Sequence, residues 1–145
     1  MYETLLVGVL LSVLYVELMD IYPGGIIVPA YIAFYLDEPS RVAVTLAVAF
    51  LSLLTYRLIS HFLILFGKRR FVMFILLGAI WAQLLNALLP SLSGEALALR
   101  AIGWLIPGLL ANNLERQKIL PTLASLLVVA TMTYALVGVV GWLIR

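Results

Sequence analysis

Apolar positions along this chain fall in long unbroken runs, not in the two-residue alternation of a half-buried strand or the one-sided stripe of a soluble helix. A transmembrane helix needs about 20 mostly apolar residues to cross a hydrocarbon core of ~30 Å. Four runs meet that requirement: Thr4 to Met19, Arg41 to Gly67, Phe71 to Leu89 and Leu120 to Ile144. Glu17 and Asp20 mark the end of the first. Pro90 and the turn-forming Ser91-Leu92-Ser93-Gly94 are expected to stop the third.

Two further apolar segments are short and interrupted. Ile21 to Leu36 contains Pro23, Gly24, Gly25 and Pro29, and Leu97 to Leu114 contains Gly103, Pro107 and Gly108. Proline removes a backbone donor and crowds the preceding turn, so a continuous helix is not expected in either. Lipid does not tolerate exposed non-helical backbone, so each segment should be a discontinuous helix shielded by neighbours or a re-entrant hairpin. Half-helices are expected to begin just after Pro29 and Pro107.

These two segments resemble each other. Gly25 and Gly103, Pro29 and Pro107, Leu36 and Leu114, and the pairs Thr55-Tyr56 and Thr133-Tyr134 all stand 78 positions apart. The predicted fold is therefore all-α: one integral membrane domain over residues 1–145, made of two related halves, about 1–67 and 71–145. Each half reads as helix, broken segment, helix.

Composition agrees with lipid as the solvent. Hydrophobic residues make up 65% of the chain and charged residues 11%, against roughly 25% charged in soluble domains. The mean hydropathy is +1.17. A net charge of +2 is too small to suggest nucleic acid, and the absence of cysteine removes disulfides, thiolate metal sites and cysteine nucleophiles. One histidine does not make a metal site of the usual kind. The first apolar run lacks a basic leader and a small-residue cleavage site, so it is expected to be a retained helix.

Lys68-Arg69-Arg70 forms a compact basic loop between two strong runs and is expected on the cytoplasmic side. If both broken segments cross the bilayer, Arg116 and Lys118 join it there, both termini lie outside, and the halves form an inverted repeat of the kind found in transporters. If both are re-entrant, that charge bias nearly vanishes. Six crossings are the preferred reading.

The polar residues inside the runs are candidates for chemistry. Arg57 lies ten residues before Gly67, which places it near the midplane if the helix continues that far. His61 is one turn on, and Glu17 enters from the same side under six crossings, so a Glu17–Arg57–His61 cluster is expected. A helix-locking ion pair without a ligand fits those residues equally well. Arg100 precedes the second break, where it either snorkels to headgroups or meets an anionic substrate. The paired half-helix N-termini would suit a carboxylate.

Asn112-Asn113 reads by default as a helix cap, and Gln83 and Asn86 as interhelical hydrogen-bond partners. Ser125, Thr131 and Thr133 are expected to bond their own helix backbone. Ala43 with Ala47, and Gly138 with Gly141, would allow close helix contact and a homo-oligomer. No nucleotide-binding loop, catalytic triad or paired catalytic carboxylates can be found in the sequence, so a self-contained enzyme is not expected.

The broken segments also carry a family resemblance. Glu17…Pro23-Gly24-Gly25-Ile26-Ile27-Val28-Pro29-Ala30-Tyr31-Ile32-Ala33 and Arg100-Ala101-Ile102-Gly103-Trp104-Leu105-Ile106-Pro107-Gly108-Leu109-Leu110-Ala111-Asn112 are similar to the small membrane subunit of bacterial poly-γ-glutamate capsule synthases, the CapC/PgsC family. Leu54-Thr55-Tyr56, Ile64-Leu65-Phe66-Gly67-Lys68-Arg69-Arg70-Phe71 and Gln117…Leu120-Pro121 fit in order. Ala30 departs from the glycine usual after the proline, which puts in doubt the equivalence of the two breaks.

The resemblance implies a non-catalytic, multi-pass subunit of the bacterial cytoplasmic membrane. It would anchor a Mur-ligase-like partner, which holds the ATP and divalent metal, and would help pass the anionic polymer outward. A further, largely extracellular subunit is expected in the complex. The resemblance carries over Glu17, Pro29, Arg100, Gly103, Pro107, Gly108 and Asn112, without assigned roles. Arg100, Arg57 and Asn112 are the candidates for the polymer path, and Gly25, Pro29, Gly103, Pro107 and Gly108 form the breaks. A stand-alone organic-anion transporter or channel, and a purely structural scaffold, are the alternatives.

Overall fold

The computed structural model describes residues 2–64, 66–93 and 105–145, and every regular element among them is a helix. In chain order these are α1 (Tyr2–Met19), α2 (Val28–Phe34), α3 (Pro39–Ser60), α4 (Lys68–Ser93), α5 (Leu105–Arg116) and α6 (Ile119–Leu143). Four of them, α1, α3, α4 and α6, are long and apolar enough to cross a membrane.

Their side chains are arranged for a lipid solvent. On α1 the leucines at 6, 10, 14 and 18 point outward, while Thr4, Gly8 and Ser12 are buried. Lipid tails are as apolar as leucine, so little is gained by hiding leucine. Close packing through small residues holds the helices together instead. Buried hydroxyls are satisfied within their own helices. Ser12 donates to the Gly8 carbonyl at 2.7 Å, Ser52 to Val48 at 2.8 Å and Thr133 to Val129 at 2.7 Å. Thr131 also bonds its own backbone, but Ser125 instead accepts the Tyr15 hydroxyl at 3.0 Å.

The helices form two compact units that interleave the sequence halves. One comprises Met1–Asp37 with Gln117–Arg145, and the other Glu38–Arg116. Each therefore holds the first long helix and the short helix of one half, with the last long helix of the other: α1, α2 and α6, and α4, α5 and α3.

The two units are built alike. Thr4, Gly8 and Ser12 on α1 match Phe74, Gly78 and Ala82 on α4, three buried positions at four-residue spacing. On α3, Thr45, Val48, Ala49, Ser52, Leu53 and Tyr56 are buried, and the same register is buried on α6 as Thr122, Ser125, Leu126, Val129, Ala130 and Thr133. That correspondence runs at an offset of 77, so Tyr56 matches Thr133. The Thr-Tyr pairs that align at 78 in the sequence are one residue out of structural register, because burial follows the helix face rather than residue identity.

Several boundaries differ from expectation. Helix α3 ends at Ser60 rather than Gly67, although Phe62, Leu63 and Ile64 prolong the apolar run. Its 22 residues already span about 33 Å, enough for the core. The Ser60 hydroxyl also takes the Arg57 carbonyl at 2.8 Å, a local bond that competes with helix continuation. Helix α4 starts at Lys68 and runs past Pro90 to Ser93. A proline inside a helix removes one backbone donor, and this helix continues through that loss. Neither short helix waits for its proline: α2 starts at Val28, where proline's fixed φ suits a first turn, and α5 is already helical at Leu105.

Candidate functional site

The first broken segment belongs to the unit of α1 and α6. Those helices run antiparallel: Tyr15 bonds Ser125, and a Cβ on Gly8 would come within 3.2 Å of the Thr133 methyl. The segment leaves α1 at Asp20, whose φ of 56° is left-handed, and continues without helix to Ile27 through Gly24 and Gly25, at φ of 76° and 111°. Only glycine reaches these last two conformations without strain.

Two sets of hydrogen bonds fix how far this segment travels. Near its start, the Gln117 side chain bridges the Tyr22 backbone, accepting from the amide at 3.1 Å and donating to the carbonyl at 3.2 Å. At its end, the Tyr134 hydroxyl donates to Asp37 at 2.7 Å. Gln117 stands just before α6, and Tyr134 lies fifteen residues past its start at Ile119, about 23 Å along the helix. A re-entrant hairpin would bring both ends of the segment to one level of α6. This segment runs from one end of its unit to the other, half of it as non-helical chain and half as α2.

Small residues let α2 lie against α1. A Cβ on Gly8 would stand 2.5 Å from the Ala30 Cβ, closer than real side chains approach. Gly8 therefore makes the room that Ala30 occupies. In the other unit the same crossing pairs Gly78 with Gly108: a Cβ on Gly78 would meet the Gly108 amide nitrogen at 2.7 Å, and one on Gly108 the Phe74 carbonyl oxygen at 2.7 Å. The departure at Ala30 is thus accommodated across the contact, and both crossings keep one geometry.

Each short helix is also tied at its far end by an acid. Asp37 accepts from Tyr134, and Glu115 accepts from Arg57 Nε at 3.2 Å. The acids stand 78 positions apart and their donors 77, at matching places in the two units. Neither bond is evident from the residues alone, yet the alignment that pairs Gly25 with Gly103 also pairs Asp37 with Glu115.

The remaining candidates fall as follows. Arg57 sits in the last turn of α3, three residues before its end at Ser60, with its side chain 55% exposed. Its partner is Glu115. His61 follows the helix end and is exposed; Glu17 is also exposed and has no ion pair among the described residues. Of the expected Glu17–Arg57–His61 cluster, Arg57 and His61 lie in the unit of α3, α4 and α5, where Arg57 pairs with Glu115, and Glu17 lies in the other unit.

Helix α5 runs through Asn112-Asn113 to Arg116, so these residues do not end it. Asn113 bonds the Leu109 carbonyl at 2.9 Å, while Asn112 is buried, 8% exposed. Gln83 faces outward and the Asn86 side-chain oxygen is buried without a partner, so among the described residues neither makes the interhelical hydrogen bond expected of it. A Cβ at Gly138 or Gly141 would meet nothing within 4 Å. Arg100 and Gly103 lie outside the described residues. Among the described residues no group of three or more His, Asp and Glu is placed to hold a metal ion.

Comparison with known proteins agrees over almost the whole chain. A family profile described as capsule biosynthesis CapC matches residues 7–123. The chain is 32% identical over 143 residues to the capsule biosynthesis protein CapC of Bacillus anthracis, covering 96% of this chain and 94% of that one. It is 34% identical over 143 residues to the PGA biosynthesis protein CapC of Bacillus subtilis strain 168, with the same coverage. No solved structure matches it. With glycine-lined helix crossings and paired Pro/Gly breaks spread over a full-length match, the chain belongs to the CapC family of capsule biosynthesis proteins.

Proposed function

We propose that this chain is the membrane subunit of an ATP-dependent poly-γ-glutamate synthase and exporter in the bacterial cytoplasmic membrane. It anchors a soluble Mur-ligase-like subunit at its cytoplasmic loops and helps the anionic polymer across. Family membership over the full length and the relatives' names support a role in making capsule polymer. The single observation that carries the membrane role is the non-helical stretch from Asp20 to Ile27 within an end-to-end segment. Non-helical backbone at membrane depth is tolerated only where protein shields it or where it lines a polar path.

ATP and a divalent metal belong to the ligase partner in this reading, which leaves amide formation outside this chain. Its docking surface on the cytoplasmic side is formed by the exposed residues 61–64 and 66–67 with the basic Lys68-Arg69-Arg70. A further extracellular subunit completes the complex. The polymer passes beside the breaks, near Arg57, Arg100 and Asn112. Affinity purification of the tagged chain from its native membrane is expected to bring down a soluble ATP-dependent amide ligase. Recovery of this chain without any ligase, together with substrate flux by the chain alone in vesicles, would replace this reading with that of an independent transporter.

A further inference from the structure

In the α3–α4–α5 unit, the buried Nε of the half-buried Arg70 and the buried Asn112 stand on the facing sides of two packed helices. Arg70, in the first turn of α4, has a buried Nε with no hydrogen-bond partner. Asn112 on α5 is 8% exposed, and it too makes no hydrogen bond among the described residues. Helical register brings the two together. Gly108 packs against the backbone of Phe74 and Ile75. Tyr56 stacks on Phe74 with ring centroids 4.3 Å apart, and the adjacent Arg57 holds Glu115. Helix α5 therefore runs from Gly108 toward the start of α4, antiparallel to it. Asn112 is one turn beyond Gly108, and Arg70 one turn before Phe74, so both stand on the facing sides of the two helices.

We infer that Arg70 and Asn112 form a binding site for a carboxylate at the basic end of this unit. A buried donor without an acceptor is costly, more so when charged. The Nε edge of a guanidinium and a side-chain amide together offer a set of N–H donors that a carboxylate's two oxygens satisfy, with Arg supplying the planar fork. Lys68, Arg69 and Arg116 flank the site in sequence, and Glu115, the acid of this end, is already held by Arg57. The local charge therefore favours an anion. Resting on the function proposed above, the ligand is the free carboxylate that each γ-linked glutamyl residue carries, and the site receives the polymer on the side where it is made.

The test uses the purified full chain in phosphatidylcholine nanodiscs, titrated calorimetrically with a short γ-linked glutamate oligomer. Saturable binding is expected, weakened about tenfold or more by Arg70→Gln and by Asn112→Ala. Arg70→Lys, which keeps the charge but not the fork, should bind with intermediate strength, and Arg145→Gln should bind as the unaltered chain does. Equal unfolding temperatures of the variants without ligand establish that they fold. An oligomer with its carboxylates amidated should not bind. Wild-type affinity in both Arg70→Gln and Asn112→Ala, or equal binding of the amidated oligomer, would overturn the site. An Arg70-dependent response to phosphatidylglycerol but none to the oligomer would assign it to lipid phosphate and overturn the polymer assignment. Ligase recovered with the chain while the oligomer fails to bind would remove this site alone and leave the proposed function standing.

Discussion

Arg57 donates through Nε to Glu115 at 3.2 Å, fastening the last turn of α3 to the end of α5 across 58 residues of sequence. The carboxylate is 25% exposed and the guanidinium 55%, so solvent screens the pair and its contribution to stability is less than about 1 kcal/mol. Glu115→Gln and Arg57→Ala are each expected to lower the unfolding temperature slightly, and the double variant no further than the worse single one. Thermal melts in detergent check this. A marked loss from Glu17→Gln would contradict the assignment of Glu115 as the partner.

The Gly78–Gly108 crossing leaves no space for a methyl group. Gly78→Ala and Gly108→Ala each place a Cβ within 2.8 Å of backbone atoms of the facing helix, and backbone yields only by moving the helices apart. Each should cost about 1–3 kcal/mol. Gly138→Ala, with nothing within 4 Å, should instead stabilise α6 by about 0.5–1 kcal/mol. Denaturation of the three variants gives the comparison, and an unaffected Gly108→Ala chain would contradict the close crossing.

At the other crossing, Gly8→Ala drives its new methyl into Ala30, with Cβ atoms 2.5 Å apart. Ala30→Gly in the same chain should recover part of the lost stability but not all, since the Ala30 Cα would still lie at 2.7 Å. Additive effects in this cycle would show that the two positions do not touch.

Much of this architecture was legible because apolar length reports membrane spans directly. Helices α1 and α6 fall within two residues of their sequence-read limits. Where α3 ends was not legible, since Phe62-Leu63-Ile64 look like more helix and only the Ser60 hydroxyl bond and the completed span stop it. With α3 ending at Ser60, Arg57 stands in the last turn of its helix instead of ten residues from the end. The breaks were visible as Pro and Gly clusters, but not the course of the first one, which depends on Gln117 and Tyr134, side chains distant in sequence. Asn112 was noticed as a motif residue. Arg70 was read only as loop charge, because burial of one nitrogen leaves no trace in composition.

The end-to-end course of the first broken segment supports everything proposed for the membrane role, and single-cysteine labelling tests it most directly. The chain has no native cysteine, so introduced thiols report without background. Tyr22 is exposed and bonds Gln117 only through its backbone, and Pro39 is exposed just beyond Asp37. In sealed vesicles of one orientation, Tyr22→Cys and Pro39→Cys should react with a membrane-impermeant maleimide from opposite sides. Labelling of both from the same side would make the segment re-entrant and contradict the account.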